Sequence, residues 1–106
     1  MTLEKLYTAL VLTGLPVTYH SWADNDGERP GLPFVCYNEV YSNNFFADGK
    51  VYKPVRHVQI ELYEAARSAA TEMTLESALS EIPWQRTVNY LDGEGCYQII
   101  YEIEVL

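Results

Sequence analysis

From Arg56 to Leu62 the chain alternates without a fault: Val58, Ile60 and Leu62 fall on one side, His57, Gln59 and Glu61 on the other. A period of two is the mark of a β-strand with one buried face and one wet face. A second stretch of the same kind closes the chain. There Tyr97, Ile99, Tyr101, Ile103 and Val105 alternate with Gln98, Glu102 and Glu104, and Ile100 is the one apolar residue on the polar side. The pattern predicts that these two strands form the middle of one twisted sheet, side by side and antiparallel. Pro54 cannot donate to a ladder, so regular pairing is expected to begin near Val55.

Two segments change period. Leu3, Leu6, Tyr7, Leu10 and Val11 recur at helical spacing behind Thr2, a residue suited to cap them, and Gly14 and Pro16 end the run. From Arg67 to Ile82 a second stripe of Leu75, Ala78, Leu79 and Ile82 predicts a helix ~22 Å long, with Ser68 as its cap and Pro83 as its stop. Glu72, Glu76 and Glu81 are expected to face water on it. Three more strands complete the set: a short edge strand at 17–20, one at 33–41, and one at 85–91 that turns through Asp92-Gly93-Glu94-Gly95 into the last. The 85–91 strand is expected outside the last strand and parallel to the organising one, reached by a right-handed crossover through the second helix.

The order α-β-β-β-α-β-β predicts a two-layer α+β fold. It has one twisted, largely antiparallel sheet of four to five strands, with both helices on one face. At 106 residues the chain is expected to be a single domain, 1–106, with one modest core. Between the 33–41 strand and the organising strand lies Ser42-Asn43-Asn44-Phe45-Phe46-Ala47-Asp48-Gly49-Lys50, which reads as the long tip of a hairpin. Two adjacent phenylalanines do not suit a solvated loop. They are either folded back on the sheet or offered to a partner.

Charge and chemistry narrow the function mostly by exclusion. Fifteen acids against seven bases give a net charge of −8. Residues 1–53 carry six acids and four bases and residues 54–106 nine and three, so the acidity is concentrated in the second half. With no basic patch, specific nucleic-acid binding is not expected. No apolar run approaches the ~20 residues of a membrane span, and Met1 to Lys5 lacks the basic start and apolar middle of a signal peptide. The chain is therefore expected in the cytoplasm, unless it leaves as part of a larger particle. Cys36 and Cys96 have no zinc-type spacing and read as two buried thiols. Asp24 and Asp26 sit in a loop whose Gly27 is misplaced for a calcium loop of the EF-hand kind, so the segment reads as solvated. There is no GxSxG, HExxH or phosphate-cradling glycine loop. Glu61, Glu102 and Glu104 could share a sheet face, and paired carboxylates serve glycosidases. On an exposed strand they read as solvation, and His57 beside them as a surface histidine. No catalytic residue, cofactor or metal ligand is expected.

Four blocks carry a resemblance: Leu32-Pro33-Phe34-Val35-Cys36-Tyr37; Ser42 to Lys50 continued by Val51-Tyr52; His57-Val58-Gln59-Ile60-Glu61-Leu62-Tyr63; and Tyr97-Gln98-Ile99-Ile100-Tyr101-Glu102-Ile103. They resemble small tail proteins of long, non-contractile-tailed phages and of prophages in low-GC Gram-positive bacteria, in particular the tail terminator, or tail completion, class. The blocks cover less than half of the chain, and Asn-Asn-Phe-Phe-Ala-Asp followed by Val-Tyr is the most specific. The resemblance implies a subunit of a homo-oligomeric, hexameric ring that ends the tail tube and meets the head connector, with DNA passing through its lumen. It implies a location in the virion, and in the host cytoplasm during assembly. It also turns the phenylalanine pair toward the second alternative, with Asn44, Phe45, Phe46, Asp48, Lys50 and Tyr52 as the expected subunit interface. Two other readings stay open: another head–tail joining or minor tail component, and a small prophage-encoded enzyme or regulator.

Overall fold

The computed structural model describes residues 1–21, 29–42, 45–47 and 49–106, with the backbone alone at 45–47 and 51–53. Helix α1 (Leu3–Val11) begins as its sequence asks, with the Thr2 hydroxyl accepting from the Lys5 amide at 3.2 Å. Its apolar stripe buries Leu6 and Leu10 and leaves Tyr7 and Val11 largely exposed. Beyond its end Gly14 takes φ +82°, a left-handed conformation that glycine adopts without strain and that turns the chain toward the sheet. Strand β1 (Val17–Tyr19) follows and pairs parallel with β2 (Phe34–Ser42).

The expected two-layer α+β fold is present. Five strands form one sheet in the order β1-β2-β5-β7-β6, where β5 is Arg56–Glu64, β6 is Gln85–Leu91 and β7 is Cys96–Val105. All neighbours but β1 and β2 are antiparallel. The organising strand β5 pairs with the closing strand β7 along its whole length, from Arg56 opposite Val105 to Glu64 opposite Tyr97. Strand β6 lies outside β7 and so runs parallel to β5, as the crossover through the second helix requires. The β6–β7 turn closes with the Glu94 and Gly95 amides both donating to the Leu91 carbonyl, Gly95 at φ +64°.

Strand parity decides the two faces. Val35 and Tyr37, then Val58, Ile60 and Leu62, then Ile99, Tyr101, Ile103 and Val105 point to one side. They pack there with Leu6 and Leu10 of α1 and with Leu75 and Leu79 at the second helix. The other face carries Asn38, His57, Gln59, Glu61, Tyr63, Gln98 and Glu102, and among the described residues no helix covers it. One β-bulge breaks the parity. Glu39 is opposite Val58 but Tyr41 is opposite His57, so the extra residue, Val40, carries Tyr41 over to the open face.

The second helix, α2 (Ala69–Ala78), is shorter than the periodicity predicts, ~15 Å instead of ~22 Å. At its start Ser68 is the cap, accepting from the Thr71 amide at 3.2 Å. At its end the chain tightens into i→i+3 bonds, from the Leu79 amide to Glu76, from Ser80 to Ser77 and from Ile82 to Leu79. Pro83 disfavours helical backbone at Ile82, so the stripe continues to Ile82 while the helix does not. A second correction concerns Glu72. It does not face water but is buried, 4% exposed. Glu81 is exposed as expected, and Glu76 lies between these extremes.

Candidate functional site

The expected interface segment is more ordered in its backbone than a loop. Strands β3 (Phe45–Ala47) and β4 (Lys50–Lys53) form a separate two-stranded ribbon. Phe45 is opposite Lys53, Phe46 opposite Val51 and Ala47 opposite Lys50, with an irregularity between Phe45 and Phe46. Lys50 is exposed. Phe45, Phe46 and Tyr52 are thus brought into one ribbon, while Asn44 and Asp48 lie outside the described residues, as does the Asp24 and Asp26 loop. The molecule measures 49 Å along its longest axis.

The open face of the sheet holds the carboxylates that the alternation placed together, and it gives Glu61 and Glu102 different partners, while Glu104 is exposed. Glu61 Oε1 accepts from the Tyr63 hydroxyl at 2.9 Å and from Gln98 Nε2 at 2.8 Å, and the same Gln98 nitrogen donates to Tyr63 at 3.0 Å. Burial first, and then the charge of Glu61, push the Tyr63 phenol above its ordinary range. Glu102 meets His57 instead, in a long contact of 3.4 Å between Oε1 and Nε2. By register Glu61 and Glu102 are diagonal neighbours, since Glu61 is opposite Ile100 and Glu102 opposite Gln59.

His57 is not the surface histidine that its polar parity suggests. Its side chain is only 14% exposed, stacked on Tyr41 with 4.6 Å between ring centroids and 7° between planes. The bulge that flips Tyr41 is the cause, and no local pattern announces it. A histidine beside a carboxylate is a common general base, but the working nitrogen must reach the substrate. Here Nε2 faces Glu102, and Nδ1 is sealed from solvent with no hydrogen-bond partner. A cleft of about 360 Å³ lies next to it, lined by His57, Trp84, Gln85, Glu102 and Glu104 among others. Among the described residues, that lining includes no hydroxyl or thiol side chain.

Sequence reading missed a charged cluster on the other side of the sheet. Glu72 Oε2 accepts from Arg67 Nε at 2.9 Å, and Glu72 Oε1 accepts from Arg67 Nη2 at 2.9 Å and from Arg86 Nη1 at 3.2 Å. Arg86 Nη1 also donates to Glu76 Oε2 at 2.7 Å, as does the Tyr101 hydroxyl at the same distance. Glu64, at the end of β5, is 2% exposed beside them. One signal was available: Glu64 continues the buried series Val58, Ile60, Leu62 and shares its parity. Among the described residues no group of three or more His, Cys, Asp or Glu side chains is placed to hold a metal ion, and no helix is long and apolar enough to cross a membrane. Cys36 and Cys96 are both buried thiols. Comparison with protein-family models, with curated proteins and with solved structures finds no match to this chain.

Proposed function

We propose that this chain is a structural tail protein of a phage or prophage, a tail terminator subunit whose copies close into a ring at the end of the tail tube, next to the head connector. The observation that carries the reading is the β3–β4 ribbon. It pairs only with itself among the described strands, it stands apart from the main sheet, and it coincides with the most specific block of the family resemblance. A closed ring built head to tail needs one projecting element and one different receiving surface on each subunit. The ribbon is suited to the first role. For the second, the sheet offers β6, seven residues in unbroken register with β7 and with no strand on its outer side among the described residues. A regular edge of that kind is a template for pairing with another chain. The net charge of −8 suits a channel wall that lets DNA pass without gripping it.

In a ring of six, each contact that buried one phenylalanine would contribute ~1.5–3 kcal/mol toward the cost of association. The test is Phe45→Ser with Phe46→Ser, compared with the wild type by circular dichroism, light scattering at high concentration and negative-stain images of protein and tails. The expected outcome is a folded variant that forms no rings and leaves tails unfinished. A variant that folds and assembles normally removes the ribbon from the interface. A variant that unfolds assigns the two rings to the subunit's own core.

A further inference from the structure

Glu64 sits where β5 ends and the chain turns back through residues 65–68 into α2. Both of its carboxylate oxygens are sealed from solvent, and neither has a hydrogen-bond partner of ordinary geometry. The side chain facing it is Glu72, in the first turn of α2 and itself buried. A buried carboxylate with no well-formed hydrogen bond is costly, and two carboxylates in contact cannot both be ionised without large repulsion. The charges around them are one short of balance. Glu64, Glu72 and Glu76 would carry three negative charges when ionised, and Arg67 and Arg86 carry two positive ones. The arginine donors are spent on Glu72 and Glu76, and none reaches Glu64.

We propose that Glu64 and Glu72 share one proton in the folded protein, held on Glu64, and that this proton fastens the first turn of α2 to the end of β5. With it the cluster is neutral, and the Glu64 O–H supplies a hydrogen bond between the two carboxyl groups that face each other. Without it an unpaired charge lies under α2. The groups facing the pair are Arg67 on the connection, Glu76 on α2, Arg86 on β6, and Tyr97 and Tyr101 on β7. Burial first, then Glu72, raise the Glu64 carboxyl to about 7, while the Ser68 amide and Arg67 pull the other way. Arg67 above all holds Glu72 below the usual carboxylate range. This inference is independent of the tail reading.

The sign follows from linkage. A carboxyl raised on folding gives stability that is complete below its unfolded value, 4.5, and is lost as pH rises through about 7. Between pH 5.5 and 8.5 the folding constant is expected to fall roughly 30-fold from this group alone. The experiment has two arms. Urea unfolding across that range is compared for the wild type and Glu64→Gln, whose amide replaces the protonated acid and donates to Glu72 without a titration. The variant is expected to lose that part of the pH dependence and to exceed the wild type at pH 8.5. In the second arm, carbon NMR of the glutamate side-chain carboxyls in the wild type is expected to show one that titrates near neutrality. A wild type with no glutamate carboxyl titrating between pH 5.5 and 8.5 overturns the proposal, even if Glu64→Gln fails to fold. So does a variant that keeps the full pH dependence.

Discussion

Leu62→Ala tests the central claim about the sheet, that the face with Val58, Ile60 and Leu62 is the one the helices cover. Leu62 is on the middle strand, between Val35 of β2 and Ile99 of β7, and is completely buried. It belongs to the same cluster as Leu6, Leu10, Leu75 and Leu79. Truncation removes three carbons from a site walled by strands on both sides and helices above. Such a site collapses poorly, so the loss includes a cavity term and falls in the range of about 2–5 kcal/mol. Near the middle of that range, the melting temperature of a domain of this length falls by roughly 12–20 °C. Urea unfolding followed by circular dichroism measures the change, with the m-value expected to stay constant. Gln59→Ala is the control. It lies on the same strand with opposite parity, opposite Asn38 and Glu102, and is expected to change stability by no more than ~0.5 kcal/mol. A loss under ~0.5 kcal/mol for Leu62→Ala, or a larger loss for Gln59→Ala, would refute the assignment of faces, because a shift of one residue reverses every side chain on the strand.

Two smaller perturbations examine the ends of elements. Ser68→Ala removes the hydroxyl that accepts from the Thr71 amide, and a loss of about 0.5–2 kcal/mol is expected by thermal or urea unfolding; no change would mean that the tether through Arg67 alone sets the start of α2. Gly95→Ala leaves the new methyl group in open space but keeps φ at +64°, so the expected cost is about 1–2 kcal/mol of backbone strain, with Gly93→Ala, which has no positive φ, as the neutral comparison.

Local patterns carried most of this fold because each is enforced by a local rule. Period two placed β5 and β7 and told which side of each is buried. Period 3.6 placed both helices and named Thr2 and Ser68 as their caps, as the structure has them, although the second helix begins at Ala69 and not at Arg67. The turn glycines placed the β6–β7 hairpin. The candidate interface was legible only as a segment: the two phenylalanines stood out in a polar loop, but the pairing of Phe46 with Val51 that makes a ribbon depends on an irregular register.

What the sequence determined by itself is therefore the two helices and the five strands of the main sheet, their order, and the face that β5 and β7 turn inward. These follow from which side chains can leave water together, a property of spacing along the chain. What only the tertiary structure decided are contacts between residues far apart in sequence. The bulge at Val40 carries Tyr41 onto His57 and shuts one ring nitrogen away from solvent. Strand β6 brings Arg86 across to α2, so that Glu72, which by helical periodicity belongs in water, is buried between two arginines. Burying an ionised carboxylate costs far more than its position on a helix can foretell, and the cost becomes tolerable only when distant charges arrive to meet it.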